Sequence, residues 1–302
     1  MATSSKHAMK VSLLTCTFNR ASTLKRLHQS ICSQSILPHE WIIVNDGSTD
    51  ETEDILNDIQ REARFPIAII NQSNHGKHIA WNRGLSIVTG DYLMGIDSDN
   101  MLTPNCFDMI MSIQKNLSLS EHPFLVRAPT IKLSQYSPLT HLQTFPIVEK
   151  RNWLDEWWHT YKHDEFVDIF DKSVYNYLYL PGFSRMKWFP EILSYSSISG
   201  LGLDFYYIDQ PLQIYDDTLC ADRLSLAFRS STSILNTNNI RFMLVIASSR
   251  LLVVSQSQPK LLSKNLGVFT LNLLYVFAAI SLSITATCLS LLLPYLRKEK
   301  QY

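Results

Sequence analysis

The stretch 41-WIIVNDGSTDETEDIL-56 decides the fold class. It opens with a short apolar run that ends at Asp46, which is typical of a buried strand followed by a turn. Gly47 closes the strand, and Ser48 or Thr49 is expected to cap a helix whose first turn is acidic, as the helix dipole favours. A strand, a tight turn and an amphipathic helix in direct succession indicate an α/β domain.

The same alternation continues on both sides of this stretch. We expect further strands at 11–18, 65–72 and 91–97, and helices at 22–34 and 78–88, the first of them capped by Ser22. Strands that alternate with helices predict a Rossmann-like, mostly parallel sheet flanked by helices. Ligands of such sheets bind beyond the carboxyl ends of the strands. Polar clusters follow three of these ends, at Thr17/Asn19, Asp46 and Asp97/Asp99.

The composition excludes several classes of protein. Of 302 residues, 46% are hydrophobic and 18% are charged, which indicates a globular chain with a substantial core. The five cysteines are scattered and never form a CxxC pair, so we expect neither zinc nor a disulfide framework. The polar start MATSSKHAMK does not resemble a signal peptide. No basic run with interleaved aromatic residues suggests nucleic-acid binding.

The charge is distributed unevenly along the chain. Nine of the 27 Lys and Arg residues lie in 223–302, where Glu299 is the sole acid. This basic tail contains an uncharged apolar segment, 266–294, which is long enough to cross a bilayer. The segment is alternatively a hydrophobic helix buried in a helical cap. We expect a helical tail that spans a membrane once or lies on its cytoplasmic face.

The segment 97-DSD-99 places two like charges after an apolar strand. In a strand, residues i and i+2 point to the same face, so both carboxylates can reach one cation. Oxygen ligands of this kind favour Mg²⁺ or Mn²⁺, which proteins often hold with one or two carboxylates and substrate phosphates. A lone DxD is weak support, since many such pairs cap helices or form turns.

Four blocks in fixed order carry a family resemblance. They are VSLLTCTFNR (11–20), IIVNDGSTDETEDIL (42–56), NHGKHIAWNRG (74–84) and GDYLMGIDSDNMLTP (90–104). Together they resemble the nucleotide-sugar-binding half of the family 2, GT-A-type glycosyltransferases. The third block resembles the GGKHxALNxG pattern of a bacterial subgroup active on surface polysaccharides. The resemblance implies a donor half at 1–110 and an acceptor half at 111–222, and the shift in composition near residue 223 begins the tail at 223–302.

The resemblance also implies roles for residues that bind the nucleotide. Asp46 accepts a hydrogen bond from the imide of a uracil base, although a turn-forming role suits NDG equally well. Gly76 allows the backbone to approach the nucleotide closely. The base, the ribose and their surroundings are lined by Cys16, Thr17, Phe18, Asn19 and Ser98.

The diphosphate and the metal have their own implied residues. Lys77 and, with less support, Arg83 neutralise the diphosphate, although isolated basic residues are commonly solvated. Asp99 is the main metal ligand, and Asp97 contacts the ribose or the metal. The implied cofactors are Mn²⁺ or Mg²⁺ and a nucleotide-sugar donor, of which a UDP-sugar is the first choice.

The catalytic base is the open question of the sequence. Relatives carry acids after an FPE motif, whereas here no acid lies between Glu191 and Asp204. Asp204 is the first candidate and Glu191 the second. The resemblance implies a metal-dependent, inverting glycosyltransferase that acts on a saccharide or lipid-linked acceptor in surface polysaccharide synthesis. The alternative is a non-catalytic nucleotide-sugar-binding protein of the same fold that lacks an efficient base.

Overall fold

A computed structural model describes residues 9–116, 123–137, 146–153, 165–180, 182 and 191–217. The basic tail 223–302 and its apolar segment 266–294 lie outside these residues, so the expectation of a helical tail is not addressed. Within the described ranges, no helix is long and apolar enough to cross a membrane.

The first part of the chain alternates strands and helices as expected. Its elements are β1 (Val11–Thr17), α1 (Ala21–Cys32), β2 (Glu40–Asn45), α2 (Thr52–Glu62), β3 (Ile67–Asn71), α3 (Lys77–Leu85) and β4 (Tyr92–Gly95). A short strand β5 (Met101–Leu102) and helix α4 (Cys106–Asn116) follow. All the elements predicted for residues 11–97 are therefore present, with ends that shift by a few residues.

The remaining described elements are mostly strands. They are β6 (Val126–Lys132), β7 (Val148–Arg151), β8 (Phe166–Asp171), helix α5 (Ile192–Gly200), β9 (Phe205–Ile208) and β10 (Gln213–Tyr215). Two 3₁₀ helices, Leu133–Gln135 and Lys172–Tyr177, follow β6 and β8.

The sheet is mixed, so the expectation of a mostly parallel one is confirmed in part: five of the nine described strand pairs are parallel and four are antiparallel. Strands β3, β2, β1 and β4 are parallel neighbours in that order. Beyond β4, the order continues through β8, β6, β10 and β5, with β9 beside β6 and β7 beside β9. Here β8 is antiparallel to both β4 and β6, β5 is antiparallel to β10, and β7 is antiparallel to β9. Strands of the predicted donor and acceptor halves thus share one sheet.

The core explains why these segments fold as they do. The middle of β2, Trp41–Val44, is fully buried, as a strand covered on both faces requires. Helix α1 buries Leu24, Leu27 and Ile31, which lie on one side of the helix and pack against the sheet.

The start of α1 differs from the expectation that Ser22 caps it. Arg20 occupies the N-cap, and the N–H of Ala21 donates to Asp50 at 3.2 Å. Helix α2 likewise begins later than expected, at Thr52, so neither Ser48 nor Thr49 is its N-cap residue. Both differences have one cause. Polar side chains of the loop after β1 accept hydrogen bonds from the backbone of the loop after β2, and the reverse also occurs.

The chain divides into two compact units. One contains 1–152, 162–189 and 203–219, and includes the whole described sheet. The other contains 153–161, 190–202 and 220–302. In this second unit, Trp153 stacks on Tyr195 of α5 with ring centroids 5.3 Å apart.

Candidate functional site

Two loops interlock at the carboxyl ends of β1 and β2. Asn19 has a left-handed backbone (φ 52°), and its N–H donates to Ser48 Oγ at 2.9 Å. Its Oδ1 accepts from the N–H of Thr49 at 2.8 Å. Thr17 is buried with no hydrogen-bond partner for its Oγ1, while the adjacent Phe18 is 44% exposed. This loop therefore presents an aromatic ring to solvent from a fixed backbone.

Asp46 organises the loop between β3 and α3. Asp46 is 4% exposed, and its carboxylate accepts three hydrogen bonds. Oδ1 accepts from Gln72 Nε2 at 2.7 Å and from the N–H of His75 at 2.8 Å, and Oδ2 accepts from the N–H of Gly76 at 2.8 Å. Asp46 therefore has a structural function in this loop, whether or not it also contacts a base.

Glycines allow the two loops to approach each other. Gly76 has φ 99° and ψ 155°, a conformation that L side chains rarely adopt, directly before α3. Gly47 also has a positive φ of 77°, and a Cβ atom there would lie 2.6 Å from the backbone nitrogen of Asn74. The backbone of 74–76 is thus held against the end of β2.

The two carboxylates of the DxD segment lie in a turn. Strand β4 ends at Gly95, and the N–H of Asn100 donates to the carbonyl of Asp97 at 3.1 Å. The expectation that both carboxylates extend a strand is therefore wrong, because the strand ends at Gly95 and the chain turns between Asp97 and Asn100. The turn still places both on the carboxyl edge of the sheet, since the N–H of Ile96 donates to the carbonyl of Leu14 in β1.

Each carboxylate has a basic partner. Lys77 Nζ lies 2.8 Å from Asp97 Oδ1, and Arg20 Nε lies 3.7 Å from Asp99 Oδ2. Burial and the neighbouring charge of Asp97 raise the pKa of Asp99, and they outweigh the opposite effects of Arg20 and Lys77. The surroundings of Asp99 therefore make its ionised form less favourable than that of an exposed aspartate.

The donor set at this turn fits Mg²⁺ or Mn²⁺. Asp97 and Asp99 supply carboxylate oxygens, and the buried Asn100 Oδ1 has no hydrogen-bond partner. Among the described residues, no three His, Cys, Asp or Glu side chains form a group suited to hold a metal ion. Two carboxylates suit a cation whose remaining ligands are phosphate and water oxygens.

The other residues expected to bind the donor differ in their burial and in their distance from the DxD turn. Cys16 is half-buried near the end of β1, and Ser98 is buried within the DSD turn. Arg83 is exposed in the last turn of α3, six residues or about 9 Å along the helix from Lys77. The structure therefore brings together Lys77, Asp46, Gly76 and the DxD turn, and places Arg83 away from them.

Strand register places Asp204 far from this edge. Tyr206 of β9 is level with Val126, which is level with Ile169 and, across β8, with Met94 of β4. Asp204 precedes β9, which runs parallel to β6 and hence to β4, so it is level with the start of β4. With ideal strand spacing, Asp204 lies about 14 Å from the DxD turn across the sheet, which is three strand spacings. Along the strands it lies about 16 Å from the turn, toward the start of β4. There it accepts a hydrogen bond from Asn152 Nδ2 at 3.3 Å.

Glu191 belongs to the second unit, where it immediately precedes α5. Its carbonyl accepts from the N–H groups of Ser194 and Tyr195 at 2.9 and 3.3 Å. Its carboxylate makes no hydrogen bond that caps the helix. The role of base therefore stays a prediction for both candidates.

Two functional features were missed from sequence. Arg20, the partner of Asp99, follows Asn19 in the first quoted block, but nothing local distinguishes it from a surface arginine. Asn82 of α3 donates to the carbonyl of Leu180 at 2.6 Å and accepts from its N–H at 2.8 Å. Trp81 Nε1 also donates to the carbonyl of Leu178 at 3.0 Å. A helix-disfavoured Asn in the middle of α3 was the available signal for this attachment.

Comparison with known proteins finds a family model that matches the first part of the chain. Residues 12–117 match the model described as Glycosyl transferase family 2. An uncharacterized glycosyltransferase of Nostoc, alr2836, is 32% identical over 35% of this chain and 33% of its own length. The poly-beta-1,6-N-acetyl-D-glucosamine synthase of Staphylococcus epidermidis is 31% identical over 36% of this chain and 26% of its own length.

A longer match reaches beyond the donor half. The cholesterol galactosyltransferase of Borreliella burgdorferi is 26% identical over 60% of this chain and 52% of its own length. The chain spans about a third of the length of several curated relatives that it matches, among them the Nostoc protein.

Solved structures share the fold at low identity. TarS of S. aureus in complex with UDP superposes with a TM-score of 0.56 at 15% identity, over 80% of this chain and 66% of that one. The mannosyltransferase PcManGT of Pyrobaculum calidifontis, in complex with GDP-Man and Mn²⁺, superposes with a TM-score of 0.56 at 16% identity, over 98% and 82%. Both likenesses support the same mixed α/β architecture.

Proposed function

We propose that this chain is a family 2 glycosyltransferase of GT-A type, whose family model matches residues 12–117, and that it transfers a sugar from a nucleotide-sugar donor to a saccharide or lipid-linked acceptor. The observation that carries the proposal is the DxD turn at the carboxyl edge of the sheet. It lies beside Lys77 and the loop that Asp46 holds in place.

Each part of this edge has a task in the proposed reaction. The loop 74–76 and the end of β1 bind the nucleoside, and Lys77 binds the diphosphate. Asp99 and Asp97 would hold Mn²⁺ or Mg²⁺, which when bound supplies a Lewis acid for the departing nucleoside diphosphate. A carboxylate of the acceptor half takes the proton of the attacking hydroxyl, and attack from the face opposite the leaving group inverts the anomeric centre.

We propose a UDP-sugar as the donor. Support comes from Asp46, whose Oδ2 accepts one hydrogen bond and so keeps a lone pair for the imide N–H of uracil, and from TarS, which binds UDP with the same fold. The mannosyltransferase with GDP-Man makes a guanosine donor the competing choice. For the acceptor, the poly-N-acetylglucosamine synthase supports a surface polysaccharide and the cholesterol galactosyltransferase a lipid.

A donor screen tests the proposal. Purified protein is heated with UDP-, GDP- and dTDP-sugars, with and without Mn²⁺, and release of nucleoside diphosphate is then assayed for the donors that raise the Tm. We expect one nucleotide class to stabilise the protein only with Mn²⁺, and Asp99→Ala to abolish both that stabilisation and the turnover. Full activity of Asp99→Ala would contradict the metal assignment.

The alternative function is nucleotide-sugar binding without transfer. The observation that favours it is the position of Asp204, which register places away from the DxD turn. Comparison of Glu191→Gln with Asp204→Asn separates the two functions. If Glu191 is the base, its variant keeps donor binding and loses transfer by at least about 100-fold, while Asp204→Asn retains transfer. Donor binding without turnover by the wild type, over a broad acceptor panel, would favour the binding protein.

A further inference from the structure

We propose that Arg20 is the counterion that Asp99 exchanges when a divalent cation and a nucleoside diphosphate bind together, and that the released guanidinium then binds the diphosphate. The inference rests on the proposed function, because it concerns the same edge of the sheet. It adds a second basic group to the diphosphate site and a reason for the two ligands to bind cooperatively.

The backbone of Arg20 is fixed while its side chain has a choice of partners. Its N–H donates to Thr52 Oγ1 at 3.0 Å, and its carbonyl accepts from the N–H of Thr23 at 3.1 Å. Its Nη1 donates to the carbonyl of Asn19 at 3.2 Å, and its Nε lies near Asp99. The guanidinium is therefore held at the carboxyl edge from a rigid loop.

The pair that Arg20 forms with Asp99 is loose. The distance of 3.7 Å between Nε and Oδ2 is within ion-pair range but beyond that of a good hydrogen bond. Both side chains are partly exposed, 22% for Arg20 and 26% for Asp99. A cation that coordinates Asp99 therefore displaces little favourable interaction.

The charges explain why the exchange needs both ligands. Asp97, Asp99, Lys77 and Arg20 together carry no net formal charge. A divalent cation alone would lie beside two basic side chains, which repel it. A diphosphate removes this conflict, because it offers Arg20 a bidentate partner and carries charge opposite to that of the cation. The two ligands thus favour each other's binding, which is a positive coupling between them.

Calorimetric titration of the full chain tests the exchange. Mn²⁺ is titrated alone, and UDP, GDP and dTDP are titrated with and without Mn²⁺, into the wild type, Arg20→Ala and Arg20→Lys. The matched control is Arg61→Ala, since Arg61 also pairs with an aspartate, Asp58, but on the exposed face of α2. Melting temperatures of all variants report their folding.

The expected effects of Arg20→Ala have opposite signs. Mn²⁺ alone binds several-fold more tightly, because its electrostatic competitor is gone. The diphosphate binds about 10- to 100-fold more weakly in the presence of Mn²⁺, because a charged hydrogen-bonding group is lost. Arg20→Lys recovers part of the diphosphate affinity, and Arg61→Ala behaves as the wild type.

Other results separate the failures. If the wild type binds none of UDP, GDP and dTDP with Mn²⁺, the proposed function itself fails. If the wild type binds one of them and Arg20→Ala binds Mn²⁺ and diphosphate with unchanged affinity, the exchange is overturned. If Arg20→Ala loses both affinities and its Tm falls by more than about 5 °C, Arg20 has a structural role. The variant Arg20→Gln, which keeps most of the side-chain stem, is then measured. The same loss of both affinities in Arg20→Gln also overturns the exchange.

Discussion

Asp99 occupies surroundings that do not suit its charge. Burial and the proximity of Asp97 favour the protonated carboxyl, and Arg20 compensates only in part. In the proposed function Asp99 binds a cation, and a residue with this task need not stabilise the free protein. Asp99 therefore has opposite effects on the stability of the free protein and on that of its proposed complex with a cation.

Asp99→Asn should stabilise the protein when no metal is present. Because the pKa of Asp99 is raised in the fold, its ionised form costs stability at pH values above that pKa, and the cost disappears as the pH falls through it. At pH 7 we expect the Tm of the variant to rise by about 2 °C, and the difference to shrink in acid. Calorimetry without metal measures this.

The same variant should lose the stabilisation that Mn²⁺ and a nucleotide give the wild type. Asp58→Asn is the control, since this exposed carboxylate pairs with Arg61 on α2. A lower Tm of Asp99→Asn at pH 7 without metal would show that its pairing with Arg20 outweighs its burial.

At the scale of elements, Glu40 joins three parts of the sheet. Lying at the start of β2, it accepts from Ser12 Oγ of β1 at 2.6 Å and from Thr89 N and Oγ1, before β4, at 2.7 and 2.9 Å. Burial raises the pKa of Glu40, but these hydrogen bonds and one with the Gly90 backbone together lower it below its ordinary value. This edge is opposite the DxD turn, so its effect on stability is separable from ligand binding.

Glu40→Gln should lower the free energy of unfolding by about 1 kcal/mol at pH 7, because charged acceptors form the stronger hydrogen bonds. A lowered pKa stabilises the fold above the unfolded value and this contribution is lost as the pH falls through the folded one. We therefore expect the variant to lose less stability than the wild type below about pH 4.5. Urea titrations across pH measure this, with the exposed Glu149→Gln as control. Equal acid sensitivity of variant and wild type would contradict the assignment.

Sequence patterns predicted the elements that are local and missed the contacts that are not. The strands and helices of residues 11–97 follow from apolar periodicity and turn residues that are close along the chain. The caps of α1 and α2 were assigned wrongly because Asp50 and Asn19 satisfy backbone groups about thirty residues away. Arg20 follows β1 and Asp99 follows the neighbouring strand β4. The two residues are far apart in the sequence, so no local pattern predicts their contact.

The placement of Asp204 was missed for the same reason. Its level in the sheet depends on the pairing of β9 with β6, of β6 with β8, and of β8 with β4. Each pairing joins segments that are many residues apart in the sequence. Strand β8 is antiparallel to both β4 and β6, which an alternation of strands and helices does not predict. Asp97 and Asp99, in contrast, follow directly from the end of β4 and were placed on the correct edge.

At the scale of the whole molecule, the tail 223–302 differs from the rest of the chain in its basic and apolar composition. We propose that residues 223–302 attach the protein to the cytoplasmic face of a membrane, where a lipid-linked acceptor is within reach. The support is the uncharged segment 266–294 together with the basic residues on both sides of it.

Truncation after residue 259 should move the protein from the membrane pellet to the supernatant. Fractionation of cells that express each form measures this, and nucleotide binding confirms that the truncated form is folded. An alkaline wash distinguishes a spanning segment, which stays in the pellet, from a surface-bound one. A folded truncated form that remains in the pellet would contradict the role of the tail.

The three hydrogen bonds to Asp46 have a kinetic consequence. Because Gln72, His75 and Gly76 are fixed by a buried carboxylate, the conformational entropy of this loop is lost when the chain folds. A ligand that arrives at this edge meets an ordered backbone, and its association rate is then not limited by loop closure. Residence time, and not encounter, would then distinguish one nucleotide from another.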